Sequence, residues 1–463
     1  MGVGISDWRL ARAVSMAGQL GVVSGTAIDT VLVRRLQDGD PGGHMRRAMA
    51  AFPVPGVAET TLQRYFLPKG RPAGTPYKLL TVCRKGMPSR REQVLMLAAF
   101  VEVFLAREGH DGIVGMNLLT KIQIPNLATL YGAMLAGVDV ILMGAGIPRE
   151  IPLALDRLAR HEVASLRFEV DGLPAGVEER LEFDPMRHWA WAPDPLRRPQ
   201  FLAIIASNSL ATMLARRATS RIDGFVVEGP TAGGHNAPPR GAPQFNTDGE
   251  PVYGERDVVD LGALAELELP FWLAGGTGRA GRLAEARAAG AAGIQVGTLF
   301  AYCEESGMAP TLKHSVLDAA LRGEVELRTD PRASPTGYPF KVVQWPADPS
   351  RGVERERICD LAGLRVPYWT PEGKVGYRCS AEPVDAFVSK GGAIEDTEGR
   401  RCLCNALMAD IGAGQVREGG ETEPPLVTSG DDLRDIGGFL AGRASYRAAD
   451  VLEYLQVGAA VGG

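Results

Sequence analysis

Short apolar runs alternate with helical stretches along most of the chain. Seven of these runs have the length of buried strands and end in glycines or polar turns. Helical patterns, with apolar residues three and four positions apart, separate most of them. This alternation predicts an α/β protein with a parallel sheet. The runs lie at 20–26, 111–118, 138–144, 201–207, 224–229, 270–275 and 293–298.

The number of runs favours a barrel. A helical pattern beginning at Trp8 precedes the first run, so the chain begins where a loop after another strand would be expected. Seven strands plus one ahead of Met1 would close a (β/α)8 TIM barrel. An open doubly wound sheet is the alternative, but it requires G-x-G-x-x-G after its first strand, and the opening GVGIS lacks the third glycine.

Two segments interrupt the alternation, and the last part of the chain has a different character. Residues 30–95, after the second barrel strand, are rich in proline, glycine and basic residues, and residues 150–200 are mixed. The sequence SPTGYPFKVV, near residue 335, marks a boundary. We therefore predict a barrel over 1–334 with these two insertions, and a cysteine-containing extension over 335–463 packed on it.

Composition excludes several classes of protein. The 463 residues include 50 Lys and Arg against 55 Asp and Glu, which gives a net charge of −5. Charged residues at 23% and hydrophobic residues at 45% are typical of a soluble enzyme. No basic run indicates nucleic-acid binding, no apolar run is long enough for a membrane span, and the amino terminus lacks a signal-peptide pattern. A cytoplasmic protein is expected.

Four of the six cysteines, Cys359, Cys379, Cys402 and Cys404, lie in the extension. Four thiols could bind zinc or an iron–sulfur cluster. However, only Cys402 and Cys404 are closely spaced, and C-x-C is a weaker metal motif than C-x-x-C. Reduced thiols that pack as small hydrophobic side chains are the favoured interpretation, so we assign no metal site.

The candidate chemistry centres on GFVVEGPTAGGHNAPPRG, from Gly224 to Gly241. A buried strand ends at Glu228 and opens into a loop that carries His235. Gly233 and Gly234 before the imidazole allow a close approach of backbone to a ligand. A titratable side chain after a strand is where barrel enzymes hold catalytic groups, whereas a lone histidine in a loop is more often merely solvated.

Two glycine-containing turns favour the catalytic interpretation of His235 over the solvated one. The strands in PFWLAGGTG and GIQVGTLF end at Gly275-Gly276 and Gly297-Thr298, one βα unit apart. Barrel enzymes often bind a phosphate with the loops after their last two strands, through backbone N–H groups. The turns therefore predict a phosphate site, with Thr298 adding a hydroxyl donor. Ordinary turn glycines are the alternative.

These motifs, together with SPTGYPFKVV, resemble the nitronate monooxygenase (2-nitropropane dioxygenase-like) family from Gly2 to about Val342. The resemblance implies an FMN-dependent TIM barrel in which His235 of the A-G-G-H motif is the catalytic base. The first strand of the family would lie ahead of Met1, so either the start of the sequence is misplaced or the fold tolerates the loss of this strand. The resemblance implies flavin contacts from Gly2, Val3, Gly4, Asn117, Glu228, Gly233, Gly234, Gly275, Gly276, Gly297 and Thr298.

The family resemblance leaves the reaction open. The expected activity is the oxidation of alkyl nitronates, or of a related carbon acid, by O2. An FMN- and NAD(P)H-dependent enoyl-thioester reductase is the alternative, because such reductases share the barrel, and a non-catalytic flavin-binding partner protein is a third. Glu228 has two interpretations as well, a flavin contact or a cap of local amides. The expected partners are a small-molecule substrate with O2 or NAD(P)H, and a homodimer is left open.

Overall fold

A computed structural model of the chain describes residues 2–457. The strands are β1 Gly21–Ser24, β2 Val114–Leu119, β3 Val140–Gly144, β4 Ala164–Arg167, β5 Arg180–Phe183, β6 Gln200–Ile205, β7 Gly224–Glu228, β8 Gly234–His235, β9 Phe271–Ala274, β10 Gly293–Gln295, β11 Glu326–Asp330, β12 Phe340–Gln344, β13 Val366–Trp369 and β14 Val375–Arg378. The helices are α1 Trp8–Met16, α2 Ile28–Gln37, α3 His44–Ala50, α4 Val57–Tyr65, α5 Ser89–Arg107, α6 Asn126–Leu135, α7 Ile151–Ala159, α8 Asn208–Arg217, α9 Leu261–Ala265, α10 Arg282–Ala288, α11 Thr298–Ala301, α12 Pro310–Leu321, α13 Val384–Ser389, α14 Leu403–Asp410, α15 Ile436–Leu440 and α16 Ala448–Gln456.

The seven runs predicted as strands are the seven strands of one parallel sheet within the described residues. Their order is β1-β2-β3-β6-β7-β9-β10, so each strand pairs with the next sheet strand along the chain. Each pairing is parallel, and helices connect most of the strands, as the alternation predicts. The coarse fold, mixed α/β with a parallel sheet, is confirmed.

The sheet is curled. Helix α16 packs against α1, which lies beside β1, and also against α10 and α11, which flank β10. One helix therefore contacts the elements at both edges of the sheet. Within residues 2–457 no ladder joins β10 to β1, so the described strands do not close a barrel.

Side chains on the two faces of the sheet enter two different cores. Along β6, Phe201 and Ala203 point into the large core between sheet and helices, whereas Leu202 points into a smaller core on the concave side. The same alternation places Phe225 in the large core and Val226 in the smaller one. The continuous apolar strands are thus covered on both faces.

The 30–95 segment contains α3, α4 and the start of α5, with α2 at its boundary, and it contacts the extension. Tyr77 N–H donates to Gln415 Oε1 at 2.7 Å, and Gln415 Nε2 donates back to Tyr77 O at 3.1 Å.

Within the predicted extension, Val343 N–H donates to Val427 O at 2.9 Å. The expected boundary near residue 335 lies between β11 and β12, which pair antiparallel. The division at this point stays a prediction.

The cysteines in the described residues are free. Between residues 2 and 457, no three His, Cys, Asp or Glu side chains are placed to hold one metal ion. Cys359 and Cys379 share a hydrogen bond, which lowers the pKa of Cys359 and raises that of Cys379. No helix of this part of the chain is long and apolar enough to cross a membrane.

Candidate active site

A cavity of about 740 Å³ lies at the carboxyl ends of the sheet strands. Loops of the sheet, the amino-terminal segment, the insertion and the extension all contribute to its lining. The predicted site residues that line it are Gly2, Val3, Asn117, Glu228, Gly233, Gly234, His235, Gly275, Gly276, Gly297 and Thr298. Gly4 is outside the lining, and a Cβ atom there would lie 2.9 Å from Cδ1 of Ile411.

His235 lies in a short strand, although the sequence predicts a loop. Gly234 and His235 form β8, which pairs antiparallel with Lys341 and Phe340 of β12. The pairing joins segments about a hundred residues apart, so the local glycine- and proline-rich sequence did not indicate it. It fixes the backbone of His235 at the cavity wall.

The imidazole belongs to a chain of hydrogen bonds. Nε2 of His235 lies 2.6 Å from Oγ of Ser334, which in turn lies 2.8 Å from Oγ1 of Thr336. Ser334 is fully buried. The Phe340 ring packs edge-on against the imidazole, with 4.9 Å between the ring centroids. Nδ1 of His235 has no hydrogen-bond partner among residues 2–457, so one ring nitrogen is held and the other is available.

Desolvation determines the charge of two groups in the cavity. Burial is the main cause that lowers the pKa of His235 to about 4, and the positive charge of Lys121 makes a smaller contribution in the same direction. Burial raises the pKa of the Glu228 carboxyl to about 7. The imidazole is therefore neutral at pH 7 and can accept a proton or a hydrogen bond. We call His235, Ser334, Thr336, Tyr338 and Lys121 the histidine wall.

A second part of the cavity lining is the glycine wall, formed by Gly275, Gly276, Gly297 and Thr298. Gly275 and Gly276 have φ angles of 82° and 65°, in the left-handed region. A Cβ atom at Gly275 would lie 2.9 Å from the Ala232 nitrogen. The turn thus needs glycine for its conformation and for its close contact with the His235 loop.

The extension contributes a segment, Thr428–Asp432, to both walls. Gly234 N–H donates to Thr428 Oγ1 at 2.7 Å, which links the segment to the histidine strand. Gly430 N–H donates to Thr298 Oγ1 at 3.0 Å, which leaves the hydroxyl proton of Thr298 free to bond a ligand. The only sequence signal for this segment is the small, polar run TSGDD, which is weak.

The same segment also bonds the loops that carry these walls. Asp431 N–H donates to Thr231 O at 2.9 Å, and Gly278 N–H donates to Asp432 Oδ2 at 3.0 Å. Burial raises the pKa of Asp432. The extension therefore helps to hold the relative positions of the His235 loop and the two glycine turns.

The donor set fits a polar, phosphate-bearing cofactor. The glycine wall offers backbone N–H groups and a hydroxyl, which suit a phosphate. Asn236, beside His235, is buried and lines the cavity, and its Nδ2 donates to Ala232 O at 3.1 Å. Its Oδ1 has no hydrogen-bond partner in the described part of the chain, so it can accept a bond from a bound ligand. Asn236 did not emerge from the sequence analysis.

Residues 192–330 match the family model described as nitronate monooxygenase. This segment of the chain is similar to that family. The match spans the His235 loop and both glycine turns, and it confirms the resemblance predicted from the sequence. The family indicates a flavin-dependent oxidoreductase. Ser334 and the predicted extension, with Thr428–Asp432, lie outside the matched segment.

Several solved structures are similar to this chain over most of its length. FabK from Thermotoga maritima is 16% identical, with 97% of this chain and 88% of that chain covered and a TM-score of 0.47. Nitroalkane oxidase from Streptomyces ansochromogenes is 15% identical, with 98% and 92% covered and a TM-score of 0.44. The enoyl reductase domain of MlnA from Bacillus amyloliquefaciens is 12% identical, with 98% and 90% covered and a TM-score of 0.47. No curated protein matches the chain.

Proposed function

We propose that this protein is an FMN-dependent oxidoreductase that oxidises alkyl nitronates, or a closely related carbon acid, with O2. The observation that carries the proposal is His235, a neutral imidazole that shares a cavity with the glycine wall. Its Nε2 is engaged by Ser334, and its Nδ1 is available. The product expected of this family is a carbonyl compound with nitrite.

FMN is the cofactor we propose. The glycine wall would hold its phosphate, because backbone N–H groups and the Thr298 hydroxyl are suitable donors. When bound, FMN supplies the redox chemistry, which belongs to the cofactor and not to the protein. The residues we assign to the rest of the flavin all line the cavity, which Gly4 does not; they are Gly2, Val3, Asn117, Glu228, Gly233 and Gly234.

The side chain of His235 acts as base and hydrogen-bonding group in this proposal. With Nε2–H donating to Ser334 Oγ, Nδ1 faces the substrate as an acceptor. Because the pKa of His235 is about 4, its neutral imidazole is a weak proton acceptor for a neutral nitroalkane; general bases work best when their pKa is near the operating pH. The site therefore favours a substrate that is already ionised, as a nitronate is.

An enoyl-thioester reductase with FMN and NAD(P)H is the second candidate, and the breadth of the cavity favours it. Apolar residues of the insertion and the extension, such as Leu95, Leu361 and Leu364, line the cavity together with the sheet loops. At about 740 Å³ the volume is in the upper part of the range for small-molecule sites. A cofactor and a substrate longer than a simple nitronate would both fit such a space.

The fold and domain organisation of the family are part of the proposal. We propose that the curled sheet belongs to the (β/α)8 barrel class, with residues 1–334 as the flavin-binding unit and 335–463 as an extension packed on it. The partners we propose are a small-molecule substrate and either O2 or NAD(P)H.

The test compares purified wild-type protein with the His235→Ala variant. Wild type should bind FMN and consume O2 when an alkyl nitronate is added, and H235A should keep FMN while kcat falls about 10- to 100-fold, as expected for loss of a hydrogen bond to a charged group. Unchanged turnover in H235A would remove His235 from the mechanism. Bleaching of the bound flavin by NADPH in the absence of air, followed by reoxidation with an enoyl thioester, would select the reductase. Bound FMN with no turnover of either substrate would leave a flavin-binding partner protein.

A further inference from the structure

Lys121 projects from the turn that follows β2 and lines the cavity with His235. Its backbone is firmly placed, because Lys121 N–H donates to Ala145 O at 3.2 Å and extends the pairing of β2 with β3. Its Nζ lies 3.3 Å from Thr336 O and 4.0 Å from the centre of the Tyr338 ring. The ammonium therefore sits beside the Tyr338 ring.

The ammonium is close to the catalytic histidine of the proposed function. Lys121 bonds the carbonyl of Thr336, Thr336 bonds the hydroxyl of Ser334, and Ser334 bonds Nε2 of His235. The positive charge also contributes to the low pKa of His235. Both groups, with Tyr338 between them, border the same part of the cavity.

The charge of Lys121 is not neutralised by a contact with a carboxylate. Burial lowers the pKa of Lys121, and Glu169 and Asp171 oppose that shift, but neither carboxylate lies within 4.0 Å of Nζ in the described residues. Arg91, another cation of the cavity lining, is ion-paired with Asp29. An ammonium has three N–H donors, and the Thr336 carbonyl takes one. Among residues 2–457 nothing else accepts a hydrogen bond from Lys121 Nζ, which leaves two donors for a ligand.

We propose that Lys121 binds the negatively charged oxygen of the substrate beside His235, so that the site selects carbon acids in their ionised form. This inference rests on the proposed function and deepens it, because it names the residue that binds the ionised substrate. A charge-assisted hydrogen bond from an ammonium to an oxyanion is among the stronger polar contacts in proteins. The neutral imidazole supplies no such positive charge, and Lys121 does.

The experiment uses the FMN-loaded full-length protein and three variants, Lys121→Met, Lys121→Arg and Lys69→Met. Lys69 is exposed and remote from the cavity, so K69M is the matched control for loss of one positive charge. In K121M the KM for ethylnitronate should rise about 10- to 100-fold, as expected for loss of a hydrogen bond between charged groups. The kcat should change much less, and the KM for neutral nitroethane should stay the same. K121R should recover most of the affinity, and K69M should match wild type.

A second measurement does not depend on turnover. Propionate has a similar size and charge to ethylnitronate, and its binding can be followed through the absorbance of the bound flavin. Its Kd should rise by a similar factor in K121M and not in K69M. If wild type fails to oxidise ethylnitronate, the proposed function is wrong, and the propionate titration still decides the role of Lys121. Equal Kd values for propionate in K121M and wild type would overturn the inference.

Discussion

The histidine wall and the glycine wall face the same cavity but are built by different means. The glycine wall depends on backbone conformation, with Gly275 at a positive φ and in close contact with the His235 loop. The histidine wall depends on side chains that come from distant segments, as in the bond from His235 to Ser334. We infer that the first wall anchors a cofactor, whereas the second sets the chemistry and the charge of the substrate.

Among the substitutions that test this difference between the two walls, the largest effect is expected at Gly275. In Gly275→Ala, the new Cβ would lie 2.9 Å from Ala232 N, at a φ of 82° that costs a non-glycine residue about 1–2 kcal/mol. We expect a lower free energy of unfolding and an FMN affinity that is lower by about tenfold or more. Urea denaturation and a titration of flavin fluorescence measure the two quantities.

The matched control is Gly297→Ala. Nothing lies within 4 Å of a Cβ atom at Gly297, and its φ is −115°. The stability of the apoprotein should stay within about 0.5 kcal/mol of wild type. Wild-type stability and FMN affinity in G275A would contradict the role that we give to the conformation of the first turn.

The two walls differ in how far they could be predicted from sequence. Apolar runs and paired glycines are local signals, so the seven strands and both glycine turns could be predicted. The bond between His235 and Ser334 joins residues 99 positions apart, and that between Gly234 and Thr428 joins residues 194 apart. Neither bond has a periodic or compositional signal. These contacts depend on tertiary packing, which a single sequence does not encode in a readable pattern.

Lys121 and Asn236 illustrate the same limit. Each lies within a few residues of a predicted site position, Asn117 in one case and His235 in the other. Their residue types are common on protein surfaces, so neither stood out. The antiparallel pairing of β8 with β12 brings β12 next to His235. The Thr336 carbonyl accepts a hydrogen bond from the Lys121 ammonium.

A smaller effect is expected when the hydrogen bond between His235 and Ser334 is removed. In Ser334→Ala, Nε2 of His235 loses its partner at 2.6 Å, and the imidazole is free to rotate. We expect kcat to fall about 3- to 10-fold, the usual contribution of one hydrogen bond, while FMN stays bound. Thr336→Val removes only the next link in the chain and should have a smaller effect. A kcat in S334A equal to that of wild type would mean that Ser334 does not position the base.

The smallest effect, and the most direct test of the electrostatics of the histidine wall, is a shift in pH dependence. His235 must be neutral to accept a proton, so kcat/KM should fall as the pH drops below about 4, the pKa of His235. Lys121→Met removes a positive charge that opposes protonation of the imidazole. The pKa of His235 should therefore rise, and this acid limb should move to higher pH. Glu228 has a pKa of about 7, so its titration would give a second change in kcat/KM near that pH. Glu228→Gln would remove this second change and leave the acid limb that is due to His235. Profiles of kcat/KM from about pH 3 to 8 for wild type, K121M and E228Q measure both limbs. An acid limb that stays in place in K121M would show that the ammonium does not act on His235.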